Sequence, residues 1–119
     1  MTNRRNFPAT DWLPRREHTV VEMSINGQPC WCRYERKEMY GLLWESWVLE
    51  VQDFNIMSII RKPGSFGYDQ GLFEIAFMRD GAFSDLMKDE FGDKDVLGYL
   101  TEEEVLKWAQ KAIRKLDMV

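Results

Sequence analysis

The chain has 119 residues, a length that fits one domain with one core. It is 45% hydrophobic and 30% charged, with seven Phe, five Trp and four Tyr, which excludes a disordered or fibrous chain. The net charge is −4, but it is unevenly spread: residues 1–62 hold nine Lys/Arg against eight Asp/Glu, and residues 69–104 hold three against eleven. An acidic second half suits a basic partner surface better than nucleic acid, or it is simply a solvated face. Apolar runs are only a few residues long, too short to span a membrane. The opening MTNRRNFPATDWLPRR has arginines but no apolar h-region, so it does not read as a secretory signal, and a cytoplasmic location is expected.

Residues 1–18 read as an extended N-terminal arm on a single domain spanning 1–119. Pro8 and Pro14 break regular structure there, and Phe7, Trp12 and Leu13 are candidate anchors to the body. The arm carries Arg4, Arg5, Arg15 and Arg16, so it is either a partly ordered terminus or a basic contact. Next comes TVVEMSI-NG-QPCWCRYE. Asn26-Gly27 between two alternating runs predicts a hairpin that pairs Ile25 with Gln28, Met23 with Cys30 and Val21 with Cys32. That register puts Val21, Met23, Ile25, Cys30 and Cys32 on one face, and Val20, Glu22, Ser24, Trp31, Arg33 and Glu35 on the other. The CxC therefore reads as two buried free thiols. A metal would need two more ligands, and His18 is the only histidine. Pro29 cannot donate a ladder bond, which places the hairpin toward a sheet edge.

RKEMYG, 36–41, reads as a charged connection. WESWVLEVQ, 44–52, reads as a strand, with helix competing over 38–50. FNIMSIIRK, 54–62, is apolar on both faces, as a central strand should be. LFEIAFMRD, 72–80, alternates Phe73, Ile75 and Phe77 against Leu72, Glu74, Ala76 and Met78. Asp80-Gly81 is a second turn signal, after which AFSDLM can return as a short strand. KDEFGDKDVLGY, 88–99, is acidic and turn-rich. LTEEEVLKWAQKAIRKL then opens a helix: Thr101 is the N-cap and Glu104 completes a capping box, with Leu100 and Val105 as the hydrophobic staple. Val105, Trp108, Ala109, Ala112, Ile113 and Leu116 form one apolar stripe that must lie on the sheet. Trp108 is central to it, so its truncation is expected to cost about 3–5 kcal/mol. The expected fold is α+β: an antiparallel sheet of about five strands with a C-terminal helix packed on one face.

The stretch RKPGSFGYDQG, 61–71, looks most like a ligand loop, but its glycines fit neither phosphate motif. A P-loop needs GxxxxGK followed by Ser or Thr and a helix; here Lys62 precedes the first glycine and a strand follows. Gly64, Gly67 and Gly71 also fail the dinucleotide spacing. A long hairpin loop fits instead, with Phe66 and Tyr68 exposed on it as candidate interface anchors. Enzymatic readings are weak: one histidine, no selected carboxylate pair, and in DEFGDKD no EF-hand ladder. Trp12, Trp31, Trp44 and Trp47 lack the basic surroundings that a phosphate backbone requires. No cofactor, no metal site and no catalytic residue is expected.

Phe73-Glu74-Ile75-Ala76, then Asp95-Val96-Leu97-Gly98-Tyr99-Leu100-Thr101 and the helix, carry a family likeness. This segment resembles the C-terminal half of small uncharacterised accessory proteins of tailed bacteriophages, which end in a strand, an acidic loop, a VLGYL-like run and a last helix. The resemblance covers about the last 45 residues and does not extend to the first 60. It implies a non-enzymatic accessory protein that binds and inhibits or redirects a host protein, an anti-defence (anti-CRISPR-like) inhibitor being its sharpest form. On the residues, the expected partner-binding set is Asp89, Glu90, Asp93 and Asp95, with Phe66 and Tyr68 as aromatic anchors. The alternative is a small-ligand or nucleotide-binding module with the Gly-rich 62–71 loop as its mouth. A virion component is a third class.

Overall fold

Three two-residue turns fold the first half of the chain into a meander. The computed structural model describes residues 12–16, 19–79, 82–84, 87–88 and 95–117. Strands β1 (Thr19–Ile25), β2 (Gln28–Met39), β3 (Leu42–Val51) and β4 (Phe54–Arg61) follow one another antiparallel. The turns are Asn26-Gly27, Tyr40-Gly41 and Gln52-Asp53, and in each both central residues have positive φ. That geometry matches the right-handed twist of the flanking strands. The first hairpin has the expected register, Ile25 on Gln28, Met23 on Cys30 and Val21 on Cys32. β1 is an edge strand, as Pro29 suggests, and pairing of β2 with β3 starts one residue later, at Cys30 and Val51.

The reading of 36–41 as a connection is corrected. β2 runs on to Met39, and Met39 pairs with Leu42 across a second tight turn. Strand therefore prevails over helix across 42–51. Between β3 and β4 the register shifts at Leu49/Glu50: Leu49 faces Met57 and Glu50 faces Asn55. The extra residue, Ile56, bulges, so Ile56 and Met57 are both buried.

β5 (Phe73–Arg79) pairs with β4, and its other edge is shared. β6 (Ala82–Phe83) pairs near its C-terminal end and β7 (Leu97–Leu100) near its N-terminal end. Among the described residues the sheet has seven strands, two more than about five, because the VLGYL run is itself a strand and the short return after residue 81 is formed.

Helix α1 (Glu102–Asp117) packs on β1, β5 and β7. Its capping box is closed: the Thr101 N–H donates to Glu104 Oε1 at 2.9 Å, and the Glu104 N–H to Thr101 Oγ1 at 3.1 Å. Leu100 and Val105, the staple pair, are buried. Val105, Leu106, Ala109, Ala112 and Ile113 carry the buried stripe, whereas Trp108 and Leu116 are half-buried at its margin. Trp108 is thus not the centre of the stripe; Leu106, which the sequence reading left out, is buried instead. The Asn26 side-chain amide donates to the Gln110 carbonyl at 2.8 Å, tying the first hairpin to the helix.

The helix face of the sheet is the core, built on Met23, Ile25, Cys30, Cys32, Trp47, Leu49, Met57, Ile59 and Ile75. Residues 12–15 are drawn into it. Trp12 and Leu13 are fully buried, as anchors of the arm, and the Trp47 indole N–H donates to the Pro14 carbonyl at 2.7 Å. Glu102 holds this segment from the helix. Its carbonyl accepts the Trp12 indole N–H at 2.9 Å, and its carboxylate accepts the Leu13 N–H at 2.8 Å and the Arg15 guanidinium. The opposite face of the sheet carries the exposed Val20 and Trp31.

Candidate functional site

The 62–71 loop is a long hairpin connection, and it is tightly built. Ser65 Oγ both accepts the Lys62 N–H and donates to the Lys62 carbonyl. A 3-10 turn, Tyr68–Gln70, is flanked by Gly67 and Gly71 in left-handed backbone. The Leu72 N–H returns to the Gly67 carbonyl at 2.9 Å, and Arg61 Nη1 donates to the Gly71 carbonyl at 3.2 Å. The loop then docks on β7 and β5: the Tyr99 N–H donates to the Phe66 carbonyl at 3.2 Å, and the Phe66 N–H to Glu74 Oε1 at 2.9 Å. Two glycines permit the approach. A Cβ on Gly98 would lie 2.2 Å from the Phe66 Cβ, and one on Gly67 would lie 2.9 Å from the Leu72 Cβ and 3.0 Å from the Tyr99 Cα.

This docking leaves two rings in water side by side. Phe66 is 53% exposed and Tyr99 57%, with stacked rings 6.3 Å apart. Tyr99 has φ 60, left-handed backbone that costs a non-glycine residue about 1–2 kcal/mol. Asp95 and Phe66 lie with Gly98 and Tyr99 round an open hollow of about 510 Å³. Asp69 joins Phe66, Tyr68 and Tyr99 round a smaller one of about 190 Å³. The structure thus brings together Phe66 and Asp95 from the expected set. Tyr68 is half-buried in the 3-10 turn. Asp89, Glu90 and Asp93 lie outside the described residues.

Tyr99 escaped the sequence reading, though an isolated glycine inside an apolar run marks close backbone approach. The β2–β3 tip escaped as well: Tyr40 is 97% exposed, between the exposed Met39 and Leu42. Beside it, a cleft of about 480 Å³ opens between Lys37, Trp44 and Lys62. The lysine ammoniums sit 5.3 and 5.8 Å from the Trp44 ring centre. The Trp44 indole N–H is buried without an acceptor, which costs about 1–3 kcal/mol.

The buried polar groups are structural in their geometry. Glu45 on β3 accepts the Tyr34 hydroxyl at 2.6 Å and the Arg61 Nε at 2.9 Å. Burial, reinforced by Glu45, pushes the Tyr34 hydroxyl up to about 12. Burial likewise raises the Cys30 thiol to about 12. Both are far from the range in which a side chain exchanges protons at neutral pH. Cys30 and Cys32 are free thiols inside the core, and Trp12 and Trp47 are fully buried, out of reach of any stacked base. Among the described residues, no helix is long and apolar enough to cross a membrane. No protein-family model, curated protein or solved structure matches the chain.

Proposed function

We propose that the chain is a non-enzymatic binding protein whose docking surface is the Phe66–Tyr99 pair with its acidic rim. The carrying observation is Tyr99, held exposed in strained backbone against a second exposed ring. Strain of this kind collects at functional sites. Two aromatic rings fixed in advance lose little side-chain freedom on binding and suit the centre of an interface. Asp69 and Asp95 at the rim repel phosphate and favour a partner with a basic surface. The acidic charge of 85–104, with Asp89, Glu90, Asp93 and Asp95, favours encounter with such a partner. The likeness of the C-terminal segment to phage accessory proteins supports a host protein of the bacterial cytoplasm as the partner, bound so as to inhibit or redirect it, as an anti-defence inhibitor does. Two exposed, stacked rings favour the protein-binding reading over a nucleotide pocket at this loop.

The test is affinity capture from a bacterial host lysate with three baits: wild type, Phe66→Ala/Tyr99→Ala, and the charge-neutral variant of the four acidic residues. One protein should be retained by wild type and lost with the aromatic variant. With the purified partner, the charge-neutral variant should associate more slowly and lose its dependence on salt. Equal capture by wild type and the aromatic variant would remove the docking surface from this site. An unchanged association rate at low salt would reduce the acidic run to a solvated face.

A further inference from the structure

We infer that the larger hollow beside Tyr99 takes an arginine side chain of the partner, its guanidinium against the two rings and within the field of Asp95. This rests on the docking surface proposed above and names the group which that surface takes.

Elsewhere the protein seats its own cations on its rings. Arg61 lies 4.5 Å from the Phe73 ring centre, Lys111 5.0 Å from that of Trp108 and Arg79 5.1 Å from that of Phe54. Among the described residues no lysine or arginine does so at Phe66 or Tyr99, although both rings are more than half exposed. The two rings touch each other with planes 27° apart, and each keeps surface in water. The negative face of such a ring attracts a cation. The nearby carboxylates lack a partner in the same way. Asp95 lines the larger hollow with Phe66 and Tyr99, and Asp69 lines the smaller one with the same two residues. Both are exposed, and among the described residues neither forms an ion pair. No lysine or arginine among the described residues lines either hollow. Rings and carboxylates thus share one complement, a positive charge brought from outside. Arginine meets both groups better than lysine. Its guanidinium is planar and weakly hydrated, stacks on an aromatic face, and offers its N–H groups to a carboxylate in the same plane. An ammonium is a compact, strongly hydrated point charge and gives up more water to reach the rings.

The experiment is a titration of the full chain with acetyl-Gly-Gly-Arg-Gly-Gly-amide, followed by the backbone amide resonances of the protein. Matched peptides carry lysine, or the neutral isostere citrulline, at the centre. A saturable shift at Gly67, Gly98 and Tyr99 is expected with arginine, weaker by several-fold in affinity with lysine and absent with citrulline. Asp95→Asn should weaken arginine binding about twofold to fivefold, the range of an exposed ion pair. Phe66→Leu/Tyr99→Leu should weaken it about fivefold or more, and unchanged resonances elsewhere show that both variants are folded. No saturable shift with the arginine peptide would overturn the site. So would a citrulline or lysine peptide bound as tightly, or an affinity that both variants leave unchanged. The docking surface is judged separately. Lysate capture that still depends on the rings would keep it if the peptide fails, and capture indifferent to them would remove it even if the peptide binds.

Discussion

Glu102→Ala should detach residues 12–15 from the core without unfolding the sheet. The Glu102 carboxylate is 8% exposed and holds the buried Leu13 N–H at 2.8 Å and the Arg15 guanidinium. Truncation leaves the Leu13 donor unpaired inside the protein, at about 1–3 kcal/mol. The Arg15 side is 41% exposed, so solvent holds its share below about 1 kcal/mol. Together these give about 1–4 kcal/mol. At this length about 3–4 °C of melting temperature corresponds to each kcal/mol, so the variant should melt about 3–16 °C lower. Glu102→Gln keeps the shape and an acceptor for Leu13 and loses only the charge, so it should fall by no more than a third of that. Thermal unfolding followed by far-UV circular dichroism gives both numbers, and near-UV dichroism reports the loosening of Trp12 and Trp47. An alanine variant within about 2 °C of wild type, or a glutamine variant as damaged as the alanine one, would refute the clamp.

Tyr99→Gly should leave stability within about 1 kcal/mol, since relief of left-handed strain offsets the lost ring contact, yet weaken partner binding about thirtyfold; a melting temperature lowered by more than about 5 °C would make the ring structural instead. Trp108→Ala should cost about 2 kcal/mol by urea denaturation, below the 3–5 kcal/mol of a fully buried indole, because the ring is half-buried against Phe77; a loss above about 4 kcal/mol would return it to the centre of the core. Stability should fall as pH rises above about 9, because the Cys30 thiol ionises near its ordinary 9.0 when unfolded but holds its proton to about 12 when folded. The contribution is complete below pH 9 and is lost on the way to pH 12, and Cys30→Ala should flatten that slope in an alkaline denaturation series.

The legibility of this fold follows the range of the interactions. Asn26-Gly27 and the Thr101–Glu104 box announce themselves because the residues that form them are three positions apart or fewer. Tyr40 and Gln52 open the other two turns with the same backbone, which such side chains seldom adopt, so the meander was visible only in part. β7 was hidden by the glycine at its centre, and that glycine is there because Phe66 needs the space. Phe66 and Asp95 were readable as candidates from exposure and charge alone. Their meeting at Tyr99 depends on which strand lies beside β5, which no local pattern encodes. Glu102 read as one of three acids favoured by a helix N-terminus; its hold on Leu13 spans 89 positions.

That span gives the molecule an order of assembly. β1 to β4 need only three tight reversals, so their pairing can proceed within microseconds and without waiting for distant chain. One side of the resulting ribbon, with Met23, Trp47 and Leu49, has nothing to cover it until α1 arrives. During synthesis, the ribbon therefore emerges from the ribosome tens of residues ahead of its lid, greasy side bare and edge strand open, and is a natural client for a chaperone in that interval. Closure needs residue 102 to reach back to residues 12–15 and the helix to settle over the ribbon.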